Sequence, residues 1–290
     1  MSKSIECKRS PRIINTDCVI AMALYSEDRA EWLRDAIRSI LSQSFNDFVF
    51  IIVIDGPVSV DLKNALFTEV GDDERVGVFE FSENRGLSAA MNYAIEWSEF
   101  LTPKFFFRMD ADDISHQQRL QEQIDFLKKH HNVDVLGSSL YEIDELSRQV
   151  GKRVLPHKHE KIKKMIFTRC PLNHPTVCIR YNVFKSGFRY DESLKNTQDY
   201  FLWINLMQAG FKFANLKEPL LHFRRVNNFY KRRGFNKSLN EFRARRLAMK
   251  KLNKYRFRYA FYAVSVLIVR MMPPPIIRFA YAIDRLLLRH

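Results

Sequence analysis

Along the first half of the chain, short continuous apolar runs alternate with segments whose apolar residues recur at helical spacing. Cys18–Leu24 is such a run, and Trp32, Leu33, Ala36, Ile37, Ile40 and Leu41 after it share one helix face. The unit recurs as Phe48–Ile54 then Leu62–Val70, Val76–Phe81 then Leu87–Ser98, and Phe105–Met109 then a helix over about 117–130. The runs FVFIIVI and FFF show little in/out alternation, which predicts strands of a parallel sheet covered by helices on both faces. In such α/β sheets ligands bind beyond the carboxyl ends of the strands, so the residues directly after each strand are the place to look for chemistry. After 133–140 the pattern is less regular. Polar stretches at 142–161 and a Pro-His segment at 171–176 precede a helix over about 198–209, and this half is expected to complete the sheet.

Composition sharpens the picture only through charge. The 290 residues carry 47 Lys and Arg against 33 Asp and Glu, a net +14, but residues 217–290 hold 19 of the basic and only 3 of the acidic side chains. A near-neutral body therefore continues into a strongly basic C-terminal quarter suited to an anionic partner, be it a membrane, a nucleic acid or a phosphorylated substrate. From 236 onward helix formers dominate and aromatic residues are interleaved with Arg and Lys. The longest apolar run there, Tyr259–Val269, is bracketed by Arg258 and Arg270 and is too short for the ~20 residues of a membrane span. The polar N-terminus has no apolar signal-peptide region. Cys7, Cys18, Cys170 and Cys178 have no metal-ligand or C-x-x-C spacing; Cys18 and Cys178 read as buried strand residues of a protein kept in a reducing compartment.

Asp55 follows the second strand, and Asp110-Ala-Asp112-Asp113 follows the fourth, so a parallel sheet brings these carboxylates to one edge. An isolated Asp after a strand is commonly a turn or cap residue. Three acids in four residues are costly to hold together unless a hard divalent cation such as Mg2+ or Mn2+ neutralises them, although Asp113 is also placed to cap the following helix. Asn84-Arg85-Gly86 closes the third strand and opens a helix, where backbone N–H groups and the Arg85 guanidinium would face the same edge. Neither a Walker lysine loop nor G-x-G-x-x-G is present, which removes the main support for P-loop and dinucleotide-binding readings.

The ordered segments Tyr25–Asp28, QSFNDFVFIIVIDGP (43–57), ENRGLSAAMNYAI (83–95), RMDADD (108–113), NHPTV (173–177), QDYFLWINLMQAG (198–210) and EPLLHFR (218–224) together resemble inverting glycosyltransferases of family two, in particular bacterial enzymes of exopolysaccharide, capsule and O-antigen synthesis. The resemblance covers most of the chain. It implies a GT-A fold over 1–235, with a nucleotide-sugar half (14–135) and an acceptor half (136–235). The net positive charge of the tail and its apolar clusters broken by arginines predict that 236–290 forms basic amphipathic helices lying on an anionic membrane surface. The resemblance also implies that Tyr25, Glu27, Asp55, Arg85 and Asp110 contact the nucleotide sugar, that Asp112 holds a Mn2+ or Mg2+ bridging the diphosphate, and that Asp199 is the base. Two departures stand out: one Asp after the second strand where many relatives have two, and Gln198-Asp199 where Glu-Asp is commoner.

Asp199 at a helix start could also cap that helix, and the two roles are compatible. His174 is either a packed turn residue or an acceptor contact; His222 either a core histidine or a diphosphate contact. Tyr230, Lys231, Arg232 and Arg233, beside Gly234, suit a loop folding over a diphosphate or a solvated basic face. The expected donor is a UDP-sugar and the expected acceptor a sugar on a polyprenyl diphosphate, handled at the cytoplasmic face of the bacterial membrane, with no nucleic acid. Two alternatives remain open at this point. A nucleic-acid-binding protein would need the tail's charge but not its apolar faces, and a nucleotidyltransferase would need a triphosphate-binding Gly/Lys loop that the sequence lacks.

Overall fold

The computed structural model describes residues 5–13, 15–226 and 235–271. In chain order the elements are β1 (Ile5–Arg9), β2 (Cys18–Leu24), α1 (Ala30–Leu41), β3 (Val49–Ile54), α2 (Val60–Val70), β4 (Val76–Phe81), α3 (Leu87–Trp97) and β5 (Phe105–Asp110). There follow β6 (Ile114–Ser115), α4 (Arg119–Lys129), β7 (Val135–Ile143), β8 (Gln149–Arg153), α5 (His159–Met165), β9 (Cys178–Arg180), α6 (Asn182–Lys185), α7 (Gln198–Gln208), β10 (Phe213–Arg224), α8 (Phe235–Lys251) and α9 (Phe257–Met271).

A ten-stranded sheet runs in the order β1-β4-β3-β2-β5-β9-β7-β10-β6, with β8 paired to β7. The four predicted strands pair in parallel, β4-β3-β2-β5. The chain winds outward from β2 through β3 to β4, then returns to the other side of β2 with β5. Strand order therefore reverses between β2 and β5, the place where open α/β sheets bind ligands. Ala23 lies opposite Asp110 across that boundary. The second half completes the sheet, with β9 antiparallel to both β5 and β7 and β10 parallel to β7.

The continuous apolar strands are explained by two cores, one on each face. Val19, Ala21, Val49, Ile51 and Val53 face the layer of α3, α7 and α8. Ile20, Met22, Phe50, Ile52 and Ile54 face α1, α2 and α4. Cys18 and Cys178 are fully buried, as strand residues should be. The seventh strand starts at Val135 and runs on to Ile143, past the expected 140, because its pairing with β10 extends to Ile143 opposite Arg224.

The basic C-terminal helices are built onto this body. Ala244, Ala248 and Met249 of α8 are buried in the same core as α7, and the Tyr259 ring of α9 stacks on Phe167 with centroids 4.8 Å apart. Ala248→Glu would force a charge into that layer at a cost of roughly 3 kcal/mol or more. Thermal unfolding followed by circular dichroism should show a fall in Tm of about 6 °C or more; an unchanged Tm would mean that α8 is detached from the core.

Candidate active site

The edge formed by the carboxyl ends of β2, β3, β4 and β5 carries the predicted chemistry. Asp110 ends β5, and Asp112 and Asp113 lie in the turn before β6. One carboxylate oxygen from each of the three lies within 4.8 Å of the others, an arrangement that could hold a metal ion. Burial, and then the Asp110 charge, push the Asp112 carboxyl up to about 6; burial, and then the charges of Asp112 and Asp110, raise the fully buried Asp113 well above its ordinary value. One oxygen of Asp113 is buried without a partner among the described residues. Closely spaced carboxylates, whose mutual repulsion a cation would relieve as it displaces their protons, are a donor set that suits a hard divalent ion.

Two buried arginines counter this charge. Arg108, on the same strand and 3% exposed, pairs with Asp110, while its Nε and Nη1 have no partner among the described residues. Arg224, the last residue of β10, is 2% exposed. Its backbone N–H donates to Asp113 Oδ1 at 2.9 Å and its Nε to the Asp112 carbonyl at 2.9 Å. Its other nitrogens reach Ser147 Oγ at 2.8 Å and Asp35 Oδ2 at 3.3 Å. Asp113 is consequently not a helix cap: α4 begins only at Arg119, and the short strand β6 intervenes. Its carboxylate instead fixes the end of β10.

Asp55 directly follows β3 and is almost fully buried. Its two oxygens accept the N–H groups of Arg85 at 2.7 Å and Gly86 at 2.9 Å, and Asn84 Nδ2 donates to its carbonyl at 3.1 Å. Burial raises its carboxyl and the two amides hold it back. The N–H groups expected to face a ligand are thus spent on Asp55, whose oxygens each keep a second lone pair. Gly56 is required here, since it sits at φ +84° and a Cβ would lie 2.5 Å from Asn84 N. The Arg85 guanidinium lies 4.7 Å over the Phe81 ring and 3.5 Å from Glu192, which in turn accepts from Asn92 of α3. At the β2 end, the half-buried Tyr25 has its hydroxyl 3.5 Å from Glu27.

Asp199 is the second residue of α7, and the residue before that helix, Thr197, holds φ +66° in the left-handed region, a strained setting for a β-branched side chain. The Cys170 thiol donates to Asp199 Oδ2 at 3.5 Å. Burial raises the Asp199 carboxyl, opposed by the Tyr200 N–H and by the charges of Lys237 and Arg108. His174 Nε2 lies 3.0 Å from the Tyr190 hydroxyl, and burial beside Arg108 keeps the imidazole neutral. The Arg108 charge, paired with Asp110, also bears on the carboxyl of Asp112, on His174 and, least of all the causes there, on Asp199. His222 sits in β10 opposite Ile114, 5.5 Å from the Tyr141 ring; burial lowers it too, and its Nδ1 has no partner among the described residues. Tyr230, Lys231, Arg232 and Arg233 lie outside the described residues.

Sequence reasoning missed Arg108, Arg224, Glu192 and Cys170. Arg108 had a signal, a cation two residues before Asp110 in an otherwise apolar strand, and Arg224 had one as the last residue of the segment EPLLHFR.

A carboxyl raised in the folded state stabilises the fold only at low pH, and that contribution is lost as the pH rises through about 6. In metal-free protein, Asp112→Asn should therefore raise Tm at about pH 7.5, and the gain should shrink at about pH 5, where the wild-type carboxyl is largely protonated. Calorimetric scans of both proteins at the two pH values check this; a gain independent of pH would contradict it.

A family model described as "Glycosyl transferase family 2" matches residues 19–188. Among curated relatives, the amylovoran biosynthesis glycosyltransferase AmsE of Erwinia amylovora is 30% identical over 92% of this chain and 98% of its own. The UDP-Gal:alpha-D-GlcNAc-diphosphoundecaprenol beta-1,3-galactosyltransferase of Escherichia coli is 28% identical over 74% of this chain and 76% of its own. Among solved structures, S. aureus TarS 1-349 in complex with UDP-GlcNAc superposes with a TM-score of 0.65 at 16% identity, covering 88% of this chain and 72% of that one, which supports a GT-A fold. With a family match over residues 19–188 and a relative 30% identical across nearly its whole length, the chain belongs to glycosyl transferase family 2.

Proposed function

We propose that this protein transfers a sugar, with inversion, from a UDP-sugar to a hydroxyl of a lipid-diphosphate-linked sugar during bacterial surface polysaccharide synthesis. Membership of the family and relatives in amylovoran and O-antigen synthesis support the class of reaction and its setting. The UDP-GlcNAc in the TarS complex and the diphosphoundecaprenol acceptor in a relative's name support the donor and acceptor. Neither the nucleic-acid nor the nucleotidyltransferase alternative has a counterpart among these relatives. The single observation that carries the reading is the three-carboxylate turn at the β2/β5 reversal.

In this reading Tyr25, Glu27 and Arg85 line the nucleoside end, Asp55 fixes the loop and offers its remaining lone pairs, and Asp110 meets the ribose. Asp112, with Asp110 and Asp113 beside it, would hold a Mn2+ or Mg2+ ion, which supplies positive charge for the diphosphate leaving group. Asp199 takes the proton of the acceptor hydroxyl as that oxygen bonds to the anomeric carbon and the bond to the diphosphate breaks on the opposite face. An α-linked donor then gives a β-linkage. Neutral His174, held by Tyr190, would orient the acceptor, and His222 would face the diphosphate side. A seat on the cytoplasmic face of the membrane follows from a lipid-linked acceptor; among the described residues no helix is long and apolar enough to cross a membrane.

Isothermal titration calorimetry tests the donor site. UDP should bind the wild type in the presence of Mn2+ and lose most of its affinity with EDTA or in Asp112→Ala. Affinity unchanged by both would remove the metal from the account.

Asp199→Asn should leave UDP affinity nearly intact while turnover falls ~100-fold or more, the scale of losing a positioned base. In the wild type, kcat should drop on the acid side as Asp199 protonates, at a pH above the ordinary carboxylate range because burial raises that group. A variant with wild-type turnover would place the base elsewhere.

A further inference from the structure

Five of the large apolar side chains exposed on the described residues, Tyr255, Phe257, Phe261, Val264 and Ile268, fall in one short stretch. The others are dispersed over 60–67, 100 and 146–154. The last four of the five recur at the spacing of a single helix stripe along α9, and the rings of Phe257 and Phe261 stack on one another in solvent at 86% and 64% exposure. The opposite side of α9 is already used. Tyr259 and Ala263 are buried against the body, Tyr259 on the Phe167 ring, and the guanidinium of Arg245 on α8 lies 5.9 Å over the Tyr262 ring. An anchored helix that still presents a second apolar face to water is asking for a further surface to cover it.

Charge says which surface. Arg256 and Arg258, both exposed, bracket Phe257, and Lys254 precedes them. Residues 217–290 as a whole carry 19 basic side chains against 3 acidic ones. An apolar stripe rimmed by cations matches the interface of an anionic bilayer, where aromatic rings sit at headgroup level and cations meet lipid phosphates. A second copy of the same chain would bring like charges together.

The face also has a defined relation to the chemistry. Tyr259 stacks on Phe167; Arg245 Nε donates to the neighbouring Thr168 carbonyl at 2.7 Å; and Cys170, two residues on, reaches Asp199. One short segment, 167–170, therefore joins α9 to the candidate base.

We propose that the stripe Phe257, Phe261, Val264 and Ile268 of α9, with its flanking arginines, is a docking face for an anionic lipid bilayer, seating the acceptor side of the site at the membrane surface. The docking stands on the exposed stripe and its charge; only its purpose rests on the lipid-linked acceptor reading.

Flotation of the full-length protein with vesicles of phosphatidylglycerol and phosphatidylethanolamine is the test, with phosphatidylcholine vesicles as the neutral arm. The wild type should float with the anionic vesicles, several-fold less with neutral ones, and less at high salt. The double variant Phe257→Glu/Phe261→Glu should lose at least tenfold in partitioning while keeping the wild-type Tm and UDP affinity. Arg256→Ala/Arg258→Ala should weaken anionic binding and leave neutral binding unchanged. Flotation of the glutamate variant equal to wild type, or a wild type that does not float, would overturn the proposal. So would a dimer in light scattering that the glutamate pair dissolves, which would give the face to a second copy. Flotation uses no donor or acceptor, so a protein that floats but binds no UDP would fail the catalytic reading and not this one.

Discussion

The structure is organised around a repulsion. Asp110, Asp112 and Asp113 crowd their carboxylates at the end of a buried strand, where desolvation and like charge both oppose ionisation. Such a turn persists only if positive charge surrounds it on every side the solvent does not. Arg108 supplies that charge from within the same strand, and Arg224 from the end of β10, more than a hundred residues further along the chain. The two buried guanidiniums are themselves costly to desolvate, so the acids and arginines hold one another in place. The three carboxylates stay close enough together to hold a metal ion, which is the charge the proposed reaction would add.

This constraint explains why two halves of different origin in the chain form one sheet. The N-terminal half brings β2 and β5 side by side, creating the strand-order reversal at which the acids sit. The C-terminal half supplies Arg224, and β10 must run beside β7 to deliver it, which fixes the register from Val135 opposite Phe213 to Ile143 opposite Arg224. His174 and Asp199 feel the same charge. The Arg108 charge also acts on His174 and, more weakly than burial, on Asp199, so the arginine that pairs with Asp110 favours the ionised form of Asp199 as well. Strain at Thr197, directly before α7, marks the other end of that arrangement.

Much of this was legible in the sequence, for physical reasons. Strands buried on both faces must be apolar throughout, so β2 through β5 announced themselves, and parallel order then gathered Asp55 and the acidic turn at one edge. What stayed hidden depends on contacts across the chain. Asp113 reads locally as a helix cap, a role that side chains of this kind often fill, and only the packing of β10 reveals that it accepts from Arg224 instead. Asn84-Arg85-Gly86 reads as an open anion site, and only the depth of Asp55 shows its amides already engaged. The basic helices after 236 read as an appendage because their small buried residues, Ala244 and Ala248, carry no hydrophobic signal of their own.

Electron paramagnetic resonance of Mn2+ tests the central claim most directly, because the free aqueous ion gives a sharp signal that binding broadens. Titrating Mn2+ into the protein with UDP present should remove the free signal with a single class of sites. Asp112→Asn, which keeps the shape of the turn but removes one charge, should restore it. A free-ion signal that the wild type leaves untouched in the presence of UDP, or binding that survives Asp112→Asn undiminished, would contradict the claim that this turn is built to be completed by a cation.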